Sequence, residues 1–136
     1  MTDTPLTTLE IEPKGAVRSS VIWMHGLGAD ARDFEPIVPE LRLPSELGIR
    51  FVFPNAPIRP VTVNGGMRMR AWYDVLSMDL PRQEDPDGVY ASERGIYALL
   101  EREQQRGVPA DRIVLAGFSQ GGAMALHAGL RYPDRL

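Results

Sequence analysis

The amino-acid sequence predicts an α/β domain in which a mostly parallel sheet has helices on both faces. Short apolar runs typical of strands alternate along the chain with segments of helical periodicity, and this order is typical of parallel sheets in three-layer domains. The runs within 19–26, 49–57 and 111–119 are apolar at successive positions. Such runs indicate strands that are buried on both faces of a sheet.

The first third of the chain contains two of these strands and one interrupted helix. Leu9 and Ile11 mark an edge strand ahead of the buried strand at 19–26. The segment 29–41 has a helical pattern, but the prolines at 36 and 39 predict a short or broken helix, because proline removes a backbone donor and clashes with the preceding turn. The second buried strand, at 49–57, follows it.

The rest of the chain begins with a long excursion and ends with two helices. Residues 55–88 contain several prolines and the turn Asn64-Gly65-Gly66, so we expect an irregular segment of the kind that often contributes to function. An amphipathic helix is predicted over 89–107, with glycine at its end. The helix at 119–132 is apolar nearly all round, which predicts that it is buried.

Composition and charge exclude several kinds of partner. The chain has 136 residues, a net charge of −3 and no basic stripe, so we expect no nucleic-acid partner. Its apolar runs are far shorter than the ~20 residues of a membrane helix, so we expect no stable membrane insertion. The sequence has no cysteine and therefore no thiolate metal site, and its first ten residues do not resemble a signal peptide. We predict a single cytoplasmic domain over 1–136.

A serine stands between two glycines at the end of the third buried strand. The stretch Gly117-Phe118-Ser119-Gln120-Gly121 matches G-x-S-x-G, with a strand before it and a helix after it. So sharp a reversal strains the serine backbone, and side chains two positions away on either side would collide, which accounts for both glycines. The helix behind the turn points free N–H groups at the same place. We therefore predict Ser119 as a nucleophile and the N–H of Gln120 as an oxyanion donor.

The loop after the strand at 19–26 is expected to supply a second oxyanion donor. Gly26 and Gly28 allow its backbone to turn inward, and we assign the N–H of Leu27 to this role. His25 is expected to hold the loop by hydrogen bonds and not to act as the general base. His127 lies eight residues after the serine on one helix, roughly 12 Å along the axis, which is beyond hydrogen-bond reach.

The motifs HGLGAD, FPNAP, VTVNGG, MRAWYD and AGFSQGG, in this order, resemble the bacterial carboxylesterase and acyl-protein thioesterase family of α/β-hydrolases, also called the phospholipase/carboxylesterase family. The resemblance extends over about 20–136. It implies an α/β-hydrolase fold and a serine hydrolase that cleaves carboxylic esters or thioesters through an acyl-serine intermediate, with no cofactor or metal. A small-molecule ester, a thioester or a lysophospholipid is the substrate that it implies, and a homodimer stays open.

The same resemblance assigns substrate contacts to one segment. It implies an acyl pocket along 61–74, where Trp72 and Met67 are the predicted substrate-binding residues, although a core position for the tryptophan stays open. Asp74 lies close by, but the order of the triad in this fold is serine, acid, histidine. An acid that precedes the serine is therefore not expected to belong to the triad.

The residues after Ser119 do not include a complete triad. They contain one histidine, on the same helix, and one acid, Asp134, whereas the family places its acid and histidine on loops after later strands. We therefore expect this chain to be the N-terminal part of a longer hydrolase whose C-terminal strands lie outside it. Alone, it should be inactive or weak and poorly soluble, because its last strand would be an exposed sheet edge.

Two other interpretations remain. Gly26-Leu27-Gly28-Ala29-Asp30-Ala31 fits the dinucleotide-binding pattern G-x-G-x-x-A, but the next strand ends in Pro54-Asn55 and not in an acid that could bind a ribose. A non-catalytic binding module on the same scaffold is the other alternative. The missing base favours that module, and the intact turn around the serine opposes it.

Overall fold

The computed structural model describes residues 5–77 and 85–136. The six strands and three helices of these ranges are, in chain order, β1 (Thr8–Ile11), β2 (Ser19–Met24), α1 (Ile37–Glu40), β3 (Ile49–Pro54), β4 (Ile58–Val61), β5 (Met67–Arg70), α2 (Pro86–Gln105), β6 (Ile113–Gly117) and α3 (Gln120–Arg131). Short 3-10 turns lie at Ser45–Leu47, Thr62–Asn64 and Ala110–Arg112. In this part of the chain, no helix is both long enough and apolar enough to cross a membrane.

The main sheet has the strand order β1-β3-β2-β6. β2 pairs in parallel with both β3 and β6, and only the edge strand β1 runs antiparallel, so the predicted mostly parallel sheet is confirmed. At its carboxyl edge, Met24 is paired with Gly117. The loop after β2 and the turn after β6 therefore leave the sheet side by side, at the edge where parallel sheets bind ligands.

The two faces of the sheet have different cores. One face packs under α2 and α3 and includes Ile22, Met24, Ile96, Leu100 and Met124. The other face is covered by α1 and the loop before it, with an aromatic cluster of Trp23, Phe34, Phe51 and Phe53. Helices thus lie on both faces as predicted, and the helix on the second face is short because two prolines interrupt its segment.

A buried acid connects α2 to the amino end of the sheet. The carboxylate of Glu103 is fully buried, accepts a hydrogen bond from the Ser20 hydroxyl at 2.6 Å, and is paired with the Arg50 guanidinium at 3.0 Å. Since Ser20 and Arg50 belong to neighbouring parallel strands, one side chain of α2 fixes the helix on both.

The excursion at 55–88 is more ordered than expected. β4 and β5 form an antiparallel hairpin, and the predicted turn at 64–66 lies within it, with Gly65 and Gly66 at φ values of 68° and 81°. Pro60 lies within β4, which belongs to a two-stranded sheet and can leave one side of its backbone unpaired. Residues 78–84 of the excursion lie outside the described residues.

Both long helices differ in detail from the prediction. α2 begins at Pro86, three residues early, because the Asp85 side chain caps it by accepting from the N–H of Gly88 and proline suits the first turn. The predicted burial of α3 on all sides is wrong. Met124 is buried, but Leu126 is 67% exposed and Leu130 is 84% exposed, since no element among the described residues covers that side of the helix.

Candidate active site

Ser119 forms a strained turn between β6 and α3. Its backbone has φ 54° and ψ −119°, a conformation that residues with a side chain rarely adopt, and the residue is exposed. A Cβ atom on Gly117 would lie 2.2 Å from the carbonyl oxygen of Gly121, and one on Gly121 would lie 2.3 Å from the carbonyl oxygen of Met24. This crowding explains why glycine flanks the serine on both sides.

The loop after β2 approaches this turn closely. A Cβ atom on Gly26 would lie 3.5 Å from the Cβ of Ser119 and 3.3 Å from the ring of Phe118. Gly28, at φ 78°, donates its N–H to the carbonyl oxygen of Arg70 at 2.8 Å. The segment that contains Leu27 is therefore held against the serine on one side and against the β4–β5 hairpin on the other.

Two backbone N–H groups are free near the serine. Gln120 is the first residue of α3, so its N–H has no partner within the helix. Within residues 5–77 and 85–136, neither this N–H nor that of Leu27 donates to a protein acceptor. The residues predicted as nucleophile and oxyanion donors thus lie on the turn after β6 and on the loop after β2, which leave the same edge of the sheet. Their catalytic roles stay predictions.

The side chain of Gln120 has a structural role that sequence reasoning missed. Its Oε1 accepts from the backbone N–H of Trp72 at 2.7 Å, and its Nε2 donates to the carbonyl oxygen of Tyr73 at 2.9 Å. Gln120 therefore fixes the segment that follows β5 to the start of α3. No local pattern in the sequence could indicate a contact between residues so far apart along the chain.

The two predicted substrate-binding residues occupy different environments. Trp72 is fully buried, its Nε1 donates to the carbonyl oxygen of His25 at 2.8 Å, and its own carbonyl oxygen accepts from the Ser92 hydroxyl. Met67, at the start of β5, is 64% exposed. Trp72 is therefore a core residue beneath the site in this structure, and its burial does not favour a direct substrate contact, whereas Met67 is accessible.

Neither histidine of the sequence is available to activate the serine. The Nε2 of His25 accepts from the Ala56 N–H at 3.0 Å, and its Nδ1 lies 2.7 Å from the Gly26 carbonyl oxygen. This pattern requires the neutral ring with its proton on Nδ1, and burial lowers the pKa of His25 below its ordinary value. The Nε2 of His127 lies 3.6 Å from the Glu93 carboxylate, at the contact between α2 and α3.

Asp74 closes the base of the hairpin. Its carboxylate accepts from both the hydroxyl and the N–H of Thr62, and these hydrogen bonds hold the pKa of Asp74 below its ordinary value. The carboxylate of Asp74 thus has a structural partner within the hairpin. In the part of the chain that the structure describes, no group of three or more potential ligands could hold a metal ion.

The loop after β2 does not have the geometry of a dinucleotide site. After the glycines, the first helix of the described chain is α1, which begins only at Ile37. The N–H of Gly28 already donates to the backbone carbonyl oxygen of Arg70. A dinucleotide pyrophosphate needs a helix N-terminus directly after the glycines, so the structure gives this alternative no support.

Comparisons with known proteins point to one family. The family described as phospholipase/carboxylesterase matches residues 8–136. Acyl-protein thioesterase 1 of Schizosaccharomyces pombe is 40% identical over 131 residues, which are 96% of this chain and 58% of that protein. Acyl-protein thioesterase 1 of Neurospora crassa is 42% identical over 118 residues, which are 82% of this chain and 48% of that protein.

Solved structures agree with this assignment. Arabidopsis thaliana SOBER1 superposes with a TM-score of 0.82 at 32% identity, over 88% of this chain and 58% of that one. Zea mays acyl-protein thioesterase 2 superposes with a TM-score of 0.76 at 33% identity, over 90% of this chain and 50% of that one. The predicted α/β-hydrolase fold is confirmed. These relatives come from fungi and plants, so the bacterial group named in the resemblance is not singled out, and the chain spans 48–58% of their length.

Proposed function

Because the chain belongs to the phospholipase/carboxylesterase family, we propose that it contains the nucleophile and the oxyanion donors of a serine hydrolase that cleaves carboxylic esters or thioesters. The main support is the exposed serine at positive φ, placed at the start of α3 between two glycines that cannot hold a side chain. A turn that is only structural has no need to hold a serine in this conformation.

The geometry supports a two-step reaction. The Ser119 hydroxyl oxygen attacks the substrate carbonyl carbon, and the negative charge that forms on the carbonyl oxygen is bound by the N–H groups of Leu27 and Gln120. A general base takes the Ser119 hydroxyl proton and passes it to the alcohol or thiol, which leaves. In the second step the base takes a proton from water, the water oxygen attacks the acyl carbon, the acid is released, and the proton returns to Ser119. A preorganised oxyanion donor contributes about 10²–10³ in kcat, so both backbone groups are central to the proposal.

The mechanism also needs a general base, and neither histidine of residues 1–136 is placed to act as one. His25 uses both ring nitrogens in hydrogen bonds, and His127 lies on α3 with its Nε2 3.6 Å from the Glu93 carboxylate. Without a base, Ser119 would be a weak nucleophile, and only the roughly 10³–10⁴-fold rate enhancement over water that an oxyanion hole and binding provide would remain. This chain alone should then be inactive or weak.

The substrate class follows from the relatives. Three of the four relatives named above are acyl-protein thioesterases by name, so acylated proteins, small acyl esters and lysophospholipids are the proposed substrates. The exposed Met67 on the hairpin is a proposed contact with the acyl group. A cytoplasmic location belongs to the same proposal and agrees with the absence of cysteine.

The experiment is intact-mass analysis of the protein before and after treatment with a fluorophosphonate. In a protein that also supplies the general base, one adduct is expected, and it should be lost in Ser119→Ala and kept in the control Ser45→Ala, which changes an exposed serine in a 3-10 turn. An adduct that persists in Ser119→Ala would assign the nucleophile elsewhere. A protein that takes up no adduct although its triad histidine is present would favour the non-catalytic binding module.

A further inference from the structure

A cavity of about 640 Å³ opens beside the loop that contains the proposed oxyanion donor. It is lined by residues 28–32 of this loop, by Ile58 and residues 68–70 of the hairpin, and by Thr8, Leu9 and Asn55. Its volume lies within the range of roughly 300–1,000 Å³ that is usual for small-molecule sites.

The charge of this cavity is mostly positive. Arg32, Arg68 and Arg70 line it, and Asp30 is its one acidic lining residue. The Arg70 guanidinium donates to the Ala56 carbonyl oxygen at 2.9 Å. Across the described ranges, none of the three arginines forms an ion pair with a carboxylate of the protein.

The cavity adjoins the loop that contains the proposed oxyanion donor. Gly28 lines the cavity, follows Leu27 in the chain, and donates its N–H to the carbonyl oxygen of Arg70, which also lines it. The N–H of Leu27 is therefore one residue along the chain from the cavity lining.

We infer that this cavity binds a carboxylate or phosphate group of the substrate, an inference that rests on the proposed function. The planar guanidinium group matches the geometry of both anions. An uncharged acyl chain fits less well, because it would remove water from three arginines without offering them an acceptor. The substrate class is thus an ester or thioester that also contains an anionic group.

Equilibrium binding to the Ser119→Ala protein tests the inference without relying on turnover. The probes are para-acetoxybenzoate, para-acetoxyphenyl phosphate and the neutral methyl para-acetoxybenzoate, measured by calorimetry at low salt. Both anions, or one of them, should bind about threefold to tenfold more tightly than the neutral ester, as expected for partly exposed charge pairs. The anionic probe that binds more tightly shows whether the cavity prefers carboxylate or phosphate.

Charge variants show whether the cavity is responsible. Arg68→Gln should weaken the anions about threefold more than the neutral ester, and Asp30→Asn, which keeps the side-chain oxygen that accepts from the Arg32 N–H, should strengthen them. Arg112→Gln is the matched control, since it removes the same charge from an exposed 3-10 turn outside the cavity.

Equal affinity for all three probes would overturn the inference, as would no detectable anion binding or equal effects of Arg68→Gln and Arg112→Gln. Failure of the proposed function has a different signature, namely a fluorophosphonate adduct that does not depend on Ser119. Anion binding that responds to Arg68 would then still establish the cavity as an anion site.

Discussion

Alanine at Gly121 would test whether the close contact between α3 and the loop after β2 holds the site together. Its Cβ atom would lie 2.3 Å from the Met24 carbonyl oxygen and 2.4 Å from that of His25, where real contacts stay above 3.0 Å. The helix start must therefore move by roughly 0.7 Å, and overpacking of this kind costs about 1–3 kcal/mol. Alanine returns about 0.5–1 kcal/mol as a better helix former, so we expect a net loss of about 1–2 kcal/mol.

Urea unfolding followed by tryptophan fluorescence measures this loss, and the rate of fluorophosphonate labelling of Ser119 reports the site. Gly129→Ala is the matched control in the same helix, because its Cβ would meet the Leu115 side chain at an ordinary 3.7 Å. The control should be neutral or slightly stabilising and should label normally. Gly121→Ala should lower the midpoint by about 0.5–1 M and slow labelling. Equal midpoints and equal labelling rates for the two variants would refute the reasoning.

Three further predictions follow from buried polar groups. Gln120→Ala leaves two backbone groups of residues 72–73 without their partner, so a loss of about 2–4 kcal/mol in urea unfolding and slower labelling of Ser119 are expected; unchanged stability would contradict it. Because burial lowers the pKa of His25 in the folded state, the unfolded chain binds more protons. The free energy of unfolding should therefore stay constant above pH ~6.5 and decrease as the pH drops below that value. His25→Gln should remove this pH dependence. Glu103→Ala leaves Arg50 without its buried partner and should cost about 3 kcal/mol, which urea titration against the exposed control Glu101→Ala would measure.

The main sheet could be predicted because its signal is local. Each buried strand is a continuous apolar run, and the parallel pairing of β2 with β3 and β6 follows from the segments between them. The β4–β5 hairpin lacks such a run, since its second strand alternates methionine with arginine and its first contains Pro60. Its two strands pair with each other in a separate sheet, so no buried apolar run marks this pairing in the sequence. The exposure of α3 was also beyond sequence reasoning, because burial depends on which elements pack against a helix and not only on its composition.

The site, like the fold, has features that a local sequence pattern predicts and features that only remote contacts determine. The turn at Ser119 was predictable because steric crowding requires glycine at fixed positions on either side of it, a constraint within five residues. The position of Trp72 was not, because an aromatic residue after an irregular segment suits a pocket wall and a core equally well. Its burial follows from partners at His25 and Ser92, which are remote in sequence.

Hydrogen bonds of Gln120 connect the turn after β6 to residues 72–73 and, through Trp72, to the loop after β2. The backbone N–H of Gln120 lies at the turn, while its side chain holds residues 72–73. Trp72 in turn binds the carbonyl oxygen of His25, which begins the loop with Leu27. The two predicted donors are therefore joined through one connected set of hydrogen bonds, and we expect the loss of Gln120 or Trp72 to disturb the loop as well as the turn. Since oxyanion stabilisation depends on donors that are fixed before the charge forms, the side chain of Gln120 contributes to the geometry of the site without contacting the substrate.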